Sequence, residues 1–185
     1  MAHRSIKDKN DSILWAKSIL SNPDSYVILD TETTGLESND VIVQIGIIDL
    51  KGLVLLNSLI KPTKRKSIPS SATNIHGITM NMLENAPYFK DIIPDIEKVI
   101  PGKTVLIYNE EYDTRIINQT CDQDGCKPLR FKHDCIMKQY SKFVGDWNDY
   151  YGNYRFQRLP AGDHSAIGDC QSALKILKKL SAENL

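Results

Sequence analysis

The stretch Val27-Ile28-Leu29-Asp30-Thr31-Glu32-Thr33-Thr34-Gly35 constrains this chain more than any other. Its apolar, partly β-branched entry reads as a strand buried in the core of a sheet. Side chains alternate along a strand, so Asp30 and Glu32 point to the same face, about 7 Å apart. Two like charges on one buried face repel, and each raises the other's pKa unless a positive charge lies between them. A hard divalent cation such as Mg²⁺ is the natural neutraliser, because it takes oxygen ligands and binds through few carboxylates. Thr33-Thr34-Gly35 ends the strand and exposes backbone amides at the same edge. A strand that simply turns polar as it reaches water has the same local sequence, so the rest of the chain must decide.

That remainder alternates strands and helices. Residues 1–10 read as a loose, charged terminus ahead of a single domain over 11–185, long enough to bury a core without staples. Asp11 can cap a helix that Asn22-Pro23 stops. Val41–Leu50 and Val54–Ile60 are strands joined by Lys51-Gly52, which makes them a hairpin. Ser71–His76 reads as a short helix ended by Gly77, with Thr79 capping the next piece. Tyr88–Ile100 has helical spacing, Thr104–Tyr108 is a short strand, and Asn109 is placed to cap a helix running to about Thr120. A strand near Leu129–Lys132 leads to a helix over Asp134–Lys142, and a last helix follows Gly162 with the stripe Ala166, Cys170, Ala173, Leu174, Leu177, Leu180. The expected fold is α/β, a mixed sheet with an antiparallel hairpin beside parallel strands and helices on its faces.

Lys+Arg and Asp+Glu are both 23, so no net charge draws a polyanion from a distance, though local phosphate contacts are compatible with it. Cys121, Cys126, Cys135 and Cys170 match no standard zinc spacing and fit reduced thiols. The first residues lack the apolar core of a signal peptide, and no segment approaches the roughly 20 apolar residues of a membrane span. A cytoplasmic protein with no membrane partner is expected.

Two later acids stand where apolar residues belong. Asp113 shares a helix face with Ile116 and Ile117, and Asp169 shares one with Ala166 and Ala173. An ionised carboxylate on a core-facing stripe is costly unless it is paired or holds a metal. The alanines beside Asp169 would let its helix approach a strand closely and bring that carboxylate to Asp30 and Glu32. His164, five residues before Asp169, is about 140° off its helix face and fits the preceding loop instead. A loop histidine beside activated water is a candidate general base. On their own, His76 and His133 read as local structural residues.

Half of the fourteen aromatic residues fall between Tyr140 and Phe156. Gly145, Asp146, Asn148 and Gly152 break any period there, so the segment reads as a structured loop. It would serve as a packed flap, a self-association surface, or a stacking platform for bases with Lys142, Arg155 and Arg158 nearby. The basic run Lys61, Lys64, Arg65, Lys66 is either a solvated hairpin exit or a phosphate contact.

Together these residues carry a resemblance. Asp30-Thr31-Glu32-Thr33-Thr34-Gly35-Leu36 resembles the first motif of the DEDDh 3′→5′ exonucleases. Tyr108-Asn109-Glu110-Glu111-Tyr112-Asp113 resembles the second, and His164-Ser165-Ala166-Ile167-Gly168-Asp169 the third, where the family has His-x-Ala-x-x-Asp. Asn74-Ile75-His76-Gly77-Ile78-Thr79 resembles the segment the family carries between the first two motifs. Ser165 stands where the family usually has a basic residue, and Gly168 where a second acid is common; both departures bear on substrate grip. The resemblance implies a ribonuclease H-like fold and two-metal hydrolysis of a terminal phosphodiester, with Mg²⁺ as the ion and Mn²⁺ able to substitute. Asp30 would bridge both ions, Glu32 and Asp169 would complete the first site, Asp113 would support the second, and His164 would take the proton of water. Thr31, Thr33, Thr34, Gly35, Leu36, His76 and Asn109 would hold the terminal nucleotide. The implied substrate is the 3′ end of a single strand, DNA ahead of RNA, and the implied parallel is the proofreading exonuclease subunit of bacterial replicative polymerases, with a polymerase or a second copy as partner. An RNA-trimming enzyme of the same family is the alternative, and a catalytically idle 3′-end or polymerase-binding module a more distant one.

Overall fold

Five strands form a mixed sheet in the order β3-β2-β1-β4-β5, and the Asp30-bearing strand is its centre. The computed structural model describes the backbone of residues 2–185 and the side chains of residues 6–185. β1 (Tyr26–Thr33) pairs antiparallel with β2 (Ile42–Asp49), and β2 pairs antiparallel with β3 (Val54–Leu59), as the hairpin reading expects. On its other side β1 runs parallel to β4 (Thr104–Ile107), which runs parallel to β5 (Lys132–Cys135). A central strand must be apolar on both faces, and Val27, Ile28 and Leu29 are all buried.

Helices cover both faces. α1 (Ala2–Leu20), α5 (Ile136–Val144) and α6 (Ala166–Ala182) enclose one core with Ile28, Ile48, Leu106, Cys170 and Leu177. α3 (Phe89–Val99) and α4 (Glu110–Asp124) enclose the other with Val27, Leu29, Ile45, Val105 and Ile116. Between β3 and α3 lie α2 (Ser70–His76) and a short 3-10 turn, Met80–Leu83; Ile78, in the link between them, and Leu83 pack on Val43. Among the described residues, no helix is long and apolar enough to cross a membrane.

Five expectations need correction. The first helix begins at Ala2, not Asp11, because nothing in residues 2–10 breaks a helix and tertiary contacts reach it. Tyr154 donates its hydroxyl to Asp8 at 2.7 Å, and the Lys9 ammonium lies 4.9 Å above the Phe143 ring. The strand expected at Leu129–Lys132 is shifted to Lys132–Cys135, since Leu129 and Phe131 are used as packing against the α3/α4 core. The helix expected from Asp134 accordingly starts at Ile136, and α4 runs on to Asp124, where Gly125 closes it in a left-handed turn. The aromatic segment is not one loop. Tyr140 and Phe143 belong to α5, and a small hairpin follows, β6 (Trp147–Asn148) with β7 (Asn153–Tyr154).

Candidate active site

The site lies where β1 outruns its parallel neighbour. The β1–β4 pairing ends at Leu29 opposite Ile107, so Asp30 to Thr33 continue past the end of β4 with that edge free of strand. On the other edge Asp30 stands opposite Gly46, and the β1–β2 register slips between Glu32 and Thr33. Such a bulge re-aims the side chains beside it. Gly46 has a specific reason to lack a side chain: a Cβ there would come within 2.9 Å of the Ala166 carbonyl carbon and of Ile167. The first turn of α6 therefore sits directly on β2, with Ala166 and Ala173 buried, and Asp169 reaches the sheet.

The consequence is a carboxylate triad. One ligand oxygen from each of Asp30, Glu32 and Asp169 lies within 4.8 Å of the others. Asp113 does not join that triad. It projects from the first turn of α4, on the opposite face, and accepts the Thr31 hydroxyl at 2.7 Å. Asp113 is nonetheless close to the triad, because after burial its charge does most to raise the pKa of Asp30. The cost of the arrangement shows in its titration. Burial, and then Asp113, Glu32 and Asp169, push Asp30 well above the usual carboxylate range. Burial followed by the charges of Asp169 and Asp113 raises Glu32 to about 8. Burial raises Asp113 to about 7 against the relief given by the Thr31 hydroxyl, and burial also raises Asp169. Acids this crowded favour protonation unless a cation joins them.

His164 is in the loop, as its helical phase required, with φ of 58°. That left-handed conformation is uncommon outside glycine, though histidine is among the residues that tolerate it. Its backbone N–H donates to Asp169 Oδ1 at 3.3 Å, and its side chain is exposed beside the triad. The departures at Ser165 and Gly168 form one local unit. Asp163 accepts from the Ser165 hydroxyl at 2.7 Å, the Ser165 oxygen accepts from the Gly168 N–H at 3.1 Å, and a Cβ on Gly168 would fall on the Asp163 carboxylate. Ser165 is therefore the N-cap of α6, and the side chain two residues before it fills the space at Gly168.

Beside the triad a cleft of about 490 Å³ runs between the end of β1 and α2, lined among others by Glu32, Thr33, Leu36, Ile75, His76 and Tyr112. The hydroxyls of Thr31, Thr33 and Thr34, three of the residues expected to hold substrate, each have a partner within the protein. Thr31 donates to Asp113, Thr33 shares a 2.6 Å hydrogen bond with Tyr112, and Thr34 donates to the buried Asp40 at 2.7 Å. These bonds fix the strap between β1 and β2 that lines the cleft. Leu36 projects from the strap, 74% exposed, and Ile75 on the facing helix is 57% exposed. Gly35 has φ of 153°, and a Cβ on it would meet the Asp40 carboxylate at 2.6 Å. His76 ends α2 and braces the strap: Nδ1 accepts from the Ile78 N–H at 3.0 Å, which leaves the proton on Nε2 to bind the Thr33 carbonyl at 3.1 Å. Burial keeps its pKa low and the ring neutral. Asn109 is at the N-cap position of α4 with no side-chain capping bond, and its side chain is exposed.

Tyr112, named in the sequence only within the second motif, and Arg65, named only in the basic run, brace the site. Tyr112 donates to the Gly35 carbonyl at 2.8 Å while bonded to Thr33, tying α4 to the strap. Its only signal was adjacency to Asp113. Arg65 ion-pairs with Asp40 at 2.5 Å, and Lys61 donates to the Glu84 carbonyl at 2.8 Å. Two of the four residues of the basic run thus have partners within the protein.

Comparison with known proteins agrees with this geometry. The Exonuclease family profile, RNase_T, matches residues 27–177. The uncharacterized exonuclease CP81 of Escherichia phage 186 is 37% identical over 175 residues, which cover 85% of this chain and 89% of that one. DNA polymerase III subunit epsilon of Buchnera aphidicola (Schizaphis graminum) is 36% identical over 110 residues, 54% of this chain but only 46% of the subunit. Among solved structures, exonuclease X in complex with 5′-overhanging duplex DNA superposes with a TM-score of 0.58 at 24% identity, covering 86% of this chain and 94% of that one. Escherichia coli exonuclease I in complex with a dA16 oligonucleotide gives 0.67 at 17% identity, over 85% of this chain and 41% of the enzyme. At those identities the two structures share the fold.

Proposed function

The chain belongs to the RNase_T exonuclease family and is a 3′→5′ exonuclease, and from that premise we propose that it trims single-stranded DNA, releasing 5′-mononucleotides with the help of two divalent cations. The observation that carries this reading is the triad, in which one oxygen each from Asp30, Glu32 and Asp169 lie within 4.8 Å of one another. An all-oxygen, acidic donor set suits Mg²⁺ or Mn²⁺ above softer ions. Burial and mutual repulsion raise the pKa values of Asp30 and Glu32, a cost that a bound cation would offset. Asp30, Glu32 and Asp169 would hold one ion, and Asp30 with Asp113 behind it would serve the second. When bound, such ions neutralise the acids, activate water and stabilise the departing oxygen.

The remaining work falls to the protein. The strap from Thr33 to Leu36, braced by His76 and Tyr112, receives the terminal nucleotide. The exposed Leu36 and Ile75 flank its base, and Asn109 reaches its sugar-phosphate from the start of α4. Water attacks the phosphorus that joins the last nucleotide to its neighbour, and a ring nitrogen of His164 takes the proton. The bond from that phosphorus to the neighbour's 3′ oxygen breaks, and the last residue leaves as its 5′-monophosphate. DNA is the favoured substrate because exonuclease X and exonuclease I hold DNA in their structures and epsilon is a DNA polymerase subunit. Incubation with end-labelled linear DNA, matched RNA and circular single-stranded DNA, in Mg²⁺ or EDTA, tests the whole reading. Mononucleotides should accumulate from linear DNA in Mg²⁺ alone. Cutting of the closed circle, or turnover in EDTA, would overturn it, and faster release from RNA would transfer the substrate to RNA.

A further inference from the structure

Besides the cleft beside the carboxylates, the structure has a larger one elsewhere. This second cleft, of about 970 Å³, opens between α3, the Pro101–Lys103 turn and the segment Cys126–Lys132, and the two clefts share no lining residue. Its charge is one-sided: Lys90, Lys103, Lys127, Arg130 and Lys132 line it against Glu97 alone. In a chain with 23 basic and 23 acidic residues, five cations to one anion is a local segregation, and like charges held together repel. Lys103 is partly committed, since it donates to the Asp24 carbonyl. Lys127, Arg130 and Lys132 are exposed and have no ion pair or side-chain hydrogen bond among the described residues.

Between the cations the wall is apolar. Ile93 on α3 and Leu129 and Phe131 on the opposite side are half-buried and line the cleft. Pro94, Pro101 and Pro128 add rigid apolar surface without donors. The segment Cys126–Phe131 is irregular and leads into β5, the outermost strand of the sheet, whose far edge pairs with no strand among the described residues. A free strand edge is a template for an added extended chain.

From this combination we propose that the cleft is a docking site for a partner protein, and that it captures an extended segment in which acidic and apolar side chains alternate. Acidic side chains would meet Lys127, Arg130 and Lys132, apolar ones would fill the space between Ile93 and Phe131, and the segment's main chain would pair along β5. A nucleic-acid strand explains the cations but not the apolar wall or the bare strand edge. The position also argues against a second half of the substrate path. Gly102, Lys103 and Lys132 lie at the N-terminal ends of the parallel strands β4 and β5, whereas the carboxylates cluster beyond the C-terminal ends. A partner bound there leaves the nuclease cleft open, so exonuclease activity and docking can operate together.

The test is fluorescence anisotropy with a labelled synthetic peptide of alternating Glu and Leu, against a Lys-Leu peptide and a single-stranded oligonucleotide of equal length. The protein is the full chain and its K127E/R130E/K132E variant. The acidic peptide should bind the natural chain in low salt, and the variant should bind it at least about tenfold more weakly, since each exposed ion pair contributes a fraction of a kcal/mol and reversal replaces attraction with repulsion. I93E should weaken it as well, with exonuclease turnover unchanged in both variants. Should charge reversal disturb folding, the corresponding triple glutamine variant makes the same comparison. Failure of the acidic peptide to bind, or equal binding by the natural chain and the variants, would overturn the proposal. Loss of oligonucleotide binding with peptide binding intact would assign the cleft to nucleic acid instead. Because the readout is peptide binding, a failed nuclease assay and a failed docking site remain distinguishable.

Discussion

Replacing Glu32 with glutamine should make the metal-free protein more stable, and increasingly so as pH rises. Glu32 is 9% exposed, and burial, then Asp169 and Asp113, lift its pKa from 4.5 to about 8. The folded chain therefore keeps a proton that the unfolded chain has released. A carboxyl raised on folding carries no penalty below its unfolded pKa, and the penalty grows until pH passes the folded value. Each pH unit inside that window is worth about 1.4 kcal/mol, so from about pH 5.5 to pH 8 Glu32 should withdraw on the order of 3 kcal/mol. His76 acts in the opposite direction, because burial lowers its pKa and the neutral folded ring favours folding as pH rises. It is present in both proteins and cancels in the difference. Urea unfolding at several pH values in EDTA reads the effect directly. The natural chain should lose stability against Glu32→Gln across this window, and saturating Mg²⁺ should remove or reverse the loss in the natural chain only. Parallel curves in EDTA would refute the claim that buried like charges define this site.

His164→Ala should lower kcat by about 10²–10⁴, the usual range for a lost general base, while Mn²⁺ binding measured by calorimetry stays close to that of the natural chain. Loss of ion binding instead would reassign the histidine as a ligand. Tyr112→Phe removes hydrogen bonds to Thr33 and Gly35, so KM for single-stranded DNA should rise several-fold with a smaller change in kcat; an unchanged KM would show that the strap holds itself. Binding of single strands should depend only weakly on salt, with log K falling about 0.7 per phosphate contact per decade. Arg65 and Lys61 are already committed, so about two contacts are expected, and a slope near that of a ten-contact binder would reveal a basic path along the protein surface. Single strands should also be degraded faster than blunt duplex, because extruding a paired end costs about a few kcal/mol.

Local periodicity carried most of the catalytic reading. Alternation along one strand placed Asp30 and Glu32 on a common face, and the helical stripe through Ala166 and Ala173 turned Asp169 inward, before any contact was known. Helical phase likewise put His164 in a loop. These signals survive because each depends on neighbours within a few residues, and strands and helices impose their periods whatever packs against them. Among the boundaries that went astray, the one at Lys132 is where distant packing overrode local preference, since Leu129 and Phe131 are used against the α3/α4 core.

Only the tertiary structure decided which groups meet. No local rule sets Gly46 opposite Asp30, yet that pairing admits the turn that carries Asp169 to the sheet. Nor could sequence tell that the threonine hydroxyls serve Asp113, Tyr112 and Asp40, or that Arg65 answers a buried acid. Five cations scattered from Lys90 to Lys132 read as ordinary solvated charge until folding gathers them around one cleft. Periodicity states which way a side chain points; strand order and register determine what it finds there, and those are properties of residues far apart in the chain.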